Sequence, residues 1–264
     1  MPTPARVRPP FIVNYGGGVD STAMLIGLHA RGERPDLVIF ADTGGEKPET
    51  YAFVREFSTW LEQHGFPPVT WVRRPKSRPS KTGPGYTTLE GNCLQNATLP
   101  SLAFGRKSCS LKWKAEPIDM HLRELPDVRA AWARGEKPIK AIGYDAGPAD
   151  ARRGSGRDEC SRFRYRYPLR EWGWDREHCE AVIRAAGLAV PLKSACFFCP
   201  ASKPAELVWL SENHPELLAR AIAMEDNARP YLTKIAGLWR RATKTRPGSW
   251  REFAESCGLL RESA

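Results

Sequence analysis

The first part of the chain repeats one order of elements, a short strand followed by a helix, and places glycines at the turn between them. Residues 11–15 form an apolar run that leads into three consecutive glycines, and residues 21–31 then carry apolar side chains at helical spacing. A buried-strand pattern at 36–41, an amphipathic helix at 50–64 and a strand at 69–72 follow. Such alternation predicts right-handed crossovers and a mainly parallel α/β sheet with ligands beyond the carboxyl ends of its strands.

Later segments continue the alternation of strands and helices, and the last part of the chain is predicted to be helical. The periodicity predicts a helix at 115–123, a core strand at 139–144, a helix at 174–187 and three further helices at 205–209, 215–227 and 230–241. Between these regions, residues 73–92 are rich in Arg, Lys, Pro, Ser and Gly without an apolar period, which predicts an exposed loop. Its basic residues either face a phosphate backbone or are simply solvated.

Composition narrows the class of protein. The 264 residues have a mean hydropathy of -0.47 and contain no apolar run near the roughly 18 residues of a membrane span, so we expect no membrane association. The first ten residues hold four prolines and lack the apolar core of a secretion signal, which predicts an extended tail and a cytoplasmic protein. The formal charge of +10 suits a polyanionic partner such as nucleic acid, although many basic proteins bind none. Seven cysteines without an export signal favour reduced thiols or metal ligands over disulfides.

The glycine turn is the first candidate site. Three consecutive glycines, Gly16, Gly17 and Gly18, let the backbone turn tightly and aim several N–H groups at one anion, next to the positive end of the following helix. Ser21 and Thr22 add hydroxyl donors, and the plausible role of Asp20 is to hold a Mg²⁺ that bridges phosphate oxygens. A purely structural turn is the alternative.

At these residues the sequence resembles a known family. Residues 17–21 match the Ser-Gly-Gly-x-Asp-Ser pyrophosphate loop (PP-loop) of the N-type ATP pyrophosphatases, with Gly16 in place of the usual serine. Residues 40–50 resemble a second signature, that of the phosphoadenosine phosphosulfate (PAPS) reductase-like branch, and the resemblance implies that Asp42, Thr43 and Gly44 lie against the nucleotide. Such a protein has the adenine nucleotide alpha-hydrolase-like, Rossmann-like fold with helices on both faces of its sheet.

Three later segments extend the resemblance to about residues 11–200. Residues 106–117 resemble the cysteine- and lysine-bearing region of the branch, and the resemblance assigns Lys112 as its lysine. Residues 167–172 resemble its Tyr-Pro-Leu-x-x-Trp segment. Gly143 matches the glycine of a Gly-Ile-Arg segment, whereas Asp145 replaces the arginine, which argues against assuming the same anionic substrate. We therefore expect an extended tail at 1–10, one domain at 11–200 and a helical extension at 201–264.

The resemblance implies an enzyme that converts ATP to AMP and pyrophosphate by adenylylating a substrate, after which a sulfur donor displaces AMP. The sulfur acceptor would be nucleic acid, by similarity to the ATP pyrophosphatase component of DNA phosphorothioation systems, with tRNA thiolation as a neighbouring possibility. A cysteine desulfurase is the expected sulfur donor, and a homodimer is a possible assembly. The expected catalytic residues are Asp20, Ser21 and Lys112. The expected nucleotide contacts are Tyr15, Gly16, Gly17, Gly18, Val19, Asp20, Ser21, Thr22, Asp42, Thr43, Gly44 and Gly143.

The cysteines suggest a second site. Cys196 and Cys199 form a Cys-x-x-Cys whose spacing lets both sulfurs reach one metal or cluster, and other ligands could come from Cys93, Cys109 or Cys160. Relatives in the branch can hold a 4Fe-4S cluster on an equivalent of Cys109 with a late Cys-x-x-Cys, and we select Cys93 as the fourth ligand. A redox-active pair or two buried thiols are the alternatives.

Two other functions and one other segment stay open. The chain could be a sulfonucleotide reductase that uses Cys257, because residues 255–260 faintly resemble the nucleophile-bearing tail of those enzymes; otherwise Cys257 closes the last helix. It could also be a non-catalytic nucleotide-binding subunit. The segment 152–167 interleaves arginines with Phe163, Tyr165 and Tyr167, which suits nucleic acid, a loop closing over ATP or a solvated loop.

Overall fold

The structure is a computed structural model that describes residues 8–148, 150, 153 and 158–260. The chain divides into two compact units. One unit, here called the sheet unit, comprises Met1–Ala41, Pro48–Val72 and Ile118–Ser194. The other, here called the C-terminal unit, comprises Asp42–Lys47, Arg73–Pro117 and Ala195–Ala264.

Five strands form one sheet in the order β3-β2-β1-β4-β5. They are β1 (Phe11–Tyr15), β2 (Leu37–Asp42), β3 (Val69–Arg73), β4 (Ile139–Ile142) and β5 (Arg164–Arg166). β1 pairs in parallel with β2 and with β4, and β4 pairs in parallel with β5. The predicted α/β class with a mainly parallel sheet is therefore confirmed.

Alternation along β1 explains how helices cover both faces of the sheet. Phe11, Val13 and Tyr15 enter one apolar cluster, which also contains side chains of the first two helices. Ile12 enters a second cluster, with Ile118 and residues near it. Because successive strand residues point to opposite faces, the two clusters lie on the two faces of the sheet. Each large side chain buried there contributes about 1.5–3 kcal/mol of transfer free energy.

Eleven α-helices lie in the described part of the chain. They are α1 (Val19–Ala30), α2 (Pro48–Gln63), α3 (Leu89–Gln95), α4 (Ser108–Ser110), α5 (Glu116–Glu124), α6 (Pro126–Ala133), α7 (Pro168–Glu171), α8 (Arg176–Ala185), α9 (Pro204–Asn213), α10 (Pro215–Ala228) and α11 (Trp250–Ser256). A π-helical turn at Leu111–Ala115 joins α4 to α5, and a 3-10 turn at Arg229–Tyr231 follows α10. None of the helices in this part is long and apolar enough to cross a membrane.

The predicted helix at 230–241 is wrong. After the 3-10 turn this stretch is irregular, because its backbone is bonded to side chains and loops instead of to itself. The N–H of Leu238 donates to the buried carboxylate of Glu225, and the N–H of Trp239 donates to the carbonyl of Gly248. Leu238 and Trp239 are both fully buried, so the apolar pattern reflects an irregular buried segment of the C-terminal unit.

Four helices of the C-terminal unit share one apolar cluster. Its apolar cluster joins α3, α9, α10 and α11 through Cys93, Leu207, Ile222 and Trp250. The helical character predicted for the end of the chain is confirmed by α9, α10 and α11. The boundary predicted at residue 200 stays a prediction.

Candidate nucleotide site

The glycine turn lies between β1 and α1 in the sheet unit. Gly17 has a φ of +71°, and a Cβ placed on it would lie 2.8 Å from the Val54 methyl. Gly16 lacks both constraints, since its φ is not positive and a Cβ would make an ordinary 3.6 Å contact with Ser21 Oγ. The turn therefore requires glycine at position 17 and only tolerates it at position 16.

The turn leaves the N-terminus of α1 open. Gly18 is the N-cap residue and provides no side-chain cap, and the first helical bond runs from the Thr22 N–H to the Gly18 carbonyl at 3.1 Å. The first N–H groups of a helix have no acceptor within the helix. Together with the helix dipole, they make this end of α1 suitable for an anion such as phosphate.

The hydroxyls near this end hold the turn together. Ser21 Oγ accepts from the Gly16 N–H at 3.1 Å and donates to the Gly18 carbonyl at 3.3 Å. Thr22 Oγ1 donates to the same carbonyl at 2.8 Å and lies 3.3 Å from Tyr15 Oη. Ser21, Thr22 and Tyr15 are all buried, so their side chains shape the loop from inside. Burial raises the pKa of Tyr15, and its bond to Thr22 offsets only part of that rise.

Gly143, which follows β4, contacts the backbone of the same helix end. A Cβ on Gly143 would lie 2.9 Å from both the amide nitrogen and the Cα of Ser21. Only glycine allows this approach, because the clashing atoms are backbone and cannot turn away. Gly143 therefore lies against the predicted phosphate loop. On the other side, Ser194 Oγ donates to the Gly16 carbonyl at 2.5 Å.

Asp20 lies beside two further carboxylates and an arginine. Its side chain is 24% exposed and accepts from Arg176 Nη1 at 3.3 Å. Burial raises the pKa of Asp20, Arg176 lowers it, and the charges of Asp145 and Asp150 raise it again, for a net rise. Asp145 itself accepts from the Gly147 N–H at 2.8 Å, and Asp150 pairs with Arg153. A carboxylate with this surplus of nearby negative charge favours a cation.

A Mg²⁺ ion fits this arrangement. Mg²⁺ commonly uses one or two carboxylates together with substrate phosphates, so it does not need a cage made of protein alone. Asp20 provides one carboxylate at the helix end where phosphate is expected. Arg176, Asp150 and Ser194 were not identified from the sequence, because no local pattern links residues so far apart in the chain to Asp20 or to Gly16.

The second predicted nucleotide contact is a turn in the C-terminal unit. Asp42, the last residue of β2, is buried, accepts from Arg73 Nε at 2.7 Å and from the Gly44 N–H at 2.7 Å. Thr43 Oγ1 lies 3.2 Å from Cys196 Sγ, and Gly44 has a φ of +74°. In the described contacts these residues bond to their own unit, and their contact with nucleotide stays a prediction.

Two lysines of the π-helical turn differ in exposure and in their contacts. Lys112 is exposed, and its carbonyl accepts from Arg74 at 2.8 Å. Lys114 Nζ instead lies 2.9 Å from Glu46 Oε1, whose side chain is fully buried. Burial alone would lower the pKa of Lys114, but Glu46 and the Cys196 and Cys199 sulfurs raise it overall. Lys114 also stands three residues before Pro117, which is a Lys-x-x-Pro spacing. The catalytic role expected of Lys112 stays a prediction.

The four cysteines proposed as metal ligands all lie in the C-terminal unit. Burial and then the Cys109 sulfur raise the pKa of Cys93 to about 12, and burial, followed by Glu46, raises that of Cys196. In the described part of the chain, no three His, Cys, Asp or Glu side chains are grouped to hold a metal ion. Ligation of a 4Fe-4S cluster by these four cysteines stays a prediction.

The remaining residues considered from the sequence as functional candidates do not lie together. Cys257 is exposed at the C-cap of α11, and Cys160 is exposed beside Tyr165. In the segment 152–167, Arg152 and Arg157 lie outside the described residues. The described end of that segment forms β5, where Arg166 pairs with Glu33 and Glu171.

Comparison with known proteins gives a distant similarity. No family model matches the chain, and no curated protein matches it. Among solved structures, it is similar to the U34-tRNA thiolase NcsA from Methanococcus maripaludis with its 4Fe-4S cluster, at a TM-score of 0.41 and 13% identity. The similarity covers 98% of this chain and 85% of that chain. At that level it transfers neither activity nor ligands.

Proposed function

We propose that this chain is an ATP pyrophosphatase that adenylylates an acceptor for sulfur transfer to nucleic acid. The observation that carries the proposal is the uncapped N-terminus of α1, which begins after Gly17 at positive φ and has Asp20 in its first turn. That combination suits a phosphate group accompanied by a divalent cation. The sequence resemblance to the PP-loop family supports cleavage between the α and β phosphates.

In the proposed reaction an acceptor oxygen attacks the α-phosphorus of ATP, and the bond to the β-phosphate oxygen breaks. The acceptor becomes linked to AMP, and pyrophosphate leaves. A sulfur donor then displaces AMP from the acceptor. The acceptor is the DNA backbone or a tRNA base, and the donor is the persulfide of a cysteine desulfurase. The outer persulfide sulfur bonds to the acceptor as AMP leaves with the former acceptor oxygen. A thiol reductant then cleaves the remaining S–S bond, which leaves sulfur on the acceptor and returns the desulfurase cysteine as a thiol.

The residues of the loop act mainly by positioning. The amides of residues 18–21 hold the departing pyrophosphate, and Gly143 keeps the β4 turn close enough to fix that helix end. Asp20 would hold a Mg²⁺ ion, which would supply positive charge to offset the charge of the phosphates. Arg176 pairs with Asp20 in the free protein and supplies a second positive charge at the same place.

The experiment measures the products of ATP with Mg²⁺, a persulfide donor and either DNA or tRNA. We expect AMP and pyrophosphate in equal amounts, and a loss of at least 100-fold in Asp20→Asn, because catalysis here depends on charge neutralisation. Glu56→Gln, which removes an exposed charge on α2, is the matched control and keeps full activity. Release of ADP and phosphate, or equal rates in Asp20→Asn and the wild type, contradicts the proposal.

A further inference from the structure

A basic pocket in the C-terminal unit contains none of the residues given a role in the reaction above. It is a cavity of about 660 Å³ between the segments 98–108 and 234–241. Four cations line it, Arg106, Lys234, Arg240 and Arg241, and none of its lining residues is acidic. Cavities of this size hold small ligands or parts of larger ones.

The four cations are not balanced by carboxylates. Other arginines of the C-terminal unit pair with carboxylates, such as Arg220 with Glu90 and Arg251 with Asp226. Within the described residues, Arg106, Lys234, Arg240 and Arg241 form no ion pair, although each can reach the pocket. Unpaired like charges placed around one cavity repel each other, so they favour an anionic ligand that offsets the repulsion.

Arg240 packs against a residue that has no side chain. A Cβ on Gly105 would lie 2.4 Å from Arg240 Cζ, so the guanidinium packs directly on the Gly105 backbone. Gly105 also has a φ of +79°, which favours glycine. The exposed Arg240 side chain therefore lies with its guanidinium against the Gly105 backbone at the pocket.

The opposite wall carries hydroxyls and an exposed ring. Ser101 Oγ accepts from the Cys109 N–H at 2.7 Å and donates to the Arg106 carbonyl at 3.0 Å, which orders the segment from 101 to 109. Ser108 also lines the pocket. Phe104 lines it with a ring that is 40% exposed, an unusual position for phenylalanine.

We propose that this pocket binds one strand of nucleic acid, with phosphates on Arg106, Arg240 and their neighbours and an unpaired base stacked on Phe104. Arginine forks match phosphate oxygens, and aromatic rings stack on bases of any sequence. A concave pocket admits an unpaired base but not a base held inside a duplex. The proposal rests on the proposed function for the identity of the acceptor and names where that acceptor is held.

The test measures binding without ATP, using the full chain and fluorescein-labelled 12-nucleotide RNA and DNA single strands in fluorescence anisotropy. We expect Arg240→Gln to weaken binding at least fivefold and to reduce the salt slope by about 0.7, the contribution of one phosphate contact in a single strand. Phe104→Ala weakens binding at least fivefold, and Phe104→Tyr restores it. Arg34→Gln, an exposed arginine outside the pocket, is the charge-matched control and keeps the wild-type affinity.

Several outcomes would overturn the proposal. They are absence of strand binding, equal losses in Arg240→Gln and Arg34→Gln, an unchanged affinity in Phe104→Ala, or equal binding of a 12-base-pair duplex or of an acidic peptide of the same charge. Failure of the proposed function is separate, because it appears as absence of pyrophosphate release while strand binding persists. If only the pocket proposal is wrong, the protein still releases pyrophosphate and Arg240→Gln does not change its affinity for the single strand.

Discussion

Adjacent glycines of the turn between β1 and α1 are constrained differently by the structure. Gly17 combines positive φ with a packed neighbour, whereas Gly16 has neither. The resemblance to PP-loop proteins places a serine at position 16, and the structure has room for one. Glycine in place of serine at position 16 therefore removes one hydroxyl donor and leaves the backbone conformation of the turn unchanged.

The two glycines therefore predict different effects of substitution. Gly17→Ala lowers the free energy of unfolding by about 2 kcal/mol or more, because it adds a left-handed residue and a clash with Val54. Gly16→Ser changes it by less than about 0.5 kcal/mol and strengthens MgATP binding about fivefold through one added donor. Urea unfolding and ATP titration measure the two effects. Equal destabilisation by both variants would contradict the loop geometry.

The lysine pair gives a second prediction at the residue scale. Lys114→Met leaves the buried Glu46 carboxylate without its closest cation and lowers the free energy of unfolding by about 2–3 kcal/mol, less than a fully buried pair because Lys114 is partly exposed. Lys112→Met, at an exposed position of the same turn, changes it by less than about 0.5 kcal/mol.

Unfolding in urea separates the two lysine variants. The double variant Lys114→Met with Glu46→Gln recovers much of the loss, since the buried charge is removed along with its partner. A larger loss in Lys112→Met than in Lys114→Met would show that the exposed lysine carries the structural role.

At the scale of elements, the end of the C-terminal unit is organised around one carboxylate. Glu225 on α10 is fully buried. Its oxygens accept from the backbone N–H groups of Leu238 at 2.7 Å, Trp250 at 2.9 Å and Arg251 at 3.1 Å, and from Ser249 Oγ. Two of these amides belong to the first turn of α11, so Glu225 acts as a cap provided by another helix.

Replacing Glu225 therefore affects more than one element. Glu225→Gln substitutes a donor for one acceptor oxygen and leaves a buried amide unpaired, which lowers the free energy of unfolding by about 3 kcal/mol. Glu212→Gln, at an exposed position of α9, is the matched control and has little effect. Hydrogen exchange of the Leu238 and Trp250 amides provides a local readout. Unchanged protection of both amides in Glu225→Gln would contradict this role.

At the scale of the whole molecule, local sequence patterns were sufficient to predict the elements whose structure depends mainly on their own residues. The glycine turn, β1 and α1 followed from periodicity and turn chemistry, and their bounds agree within about two residues. Helix α6 was missed although Pro126 occupies its first turn, a helix-start signal present in the sequence.

Long-range contacts account for what the sequence did not predict. The segment 230–241 has a helical apolar pattern, but the Leu238 N–H donates to the buried Glu225 carboxylate instead of to a carbonyl within a helix. That contact depends on tertiary structure. The pairing of Asp20 with Arg176, 156 residues later, has no local signature for the same reason. The glycine turn between β1 and α1 was thus predictable, and the charges around it were not.

The last prediction concerns stability coupled to ligand binding. A ligand that binds only the folded state at 100 times its Kd stabilises the protein by about 2.7 kcal/mol. We expect Mg²⁺ with α,β-methylene ATP, which resists cleavage at the proposed bond, to raise the midpoint of the unfolding transition that includes the sheet unit. Asp20→Asn loses this shift because its cation ligand is gone, while Glu56→Gln keeps it. Equal shifts in the wild type and Asp20→Asn would place the nucleotide away from α1, since only a ligand held at that helix end depends on the carboxylate in its first turn.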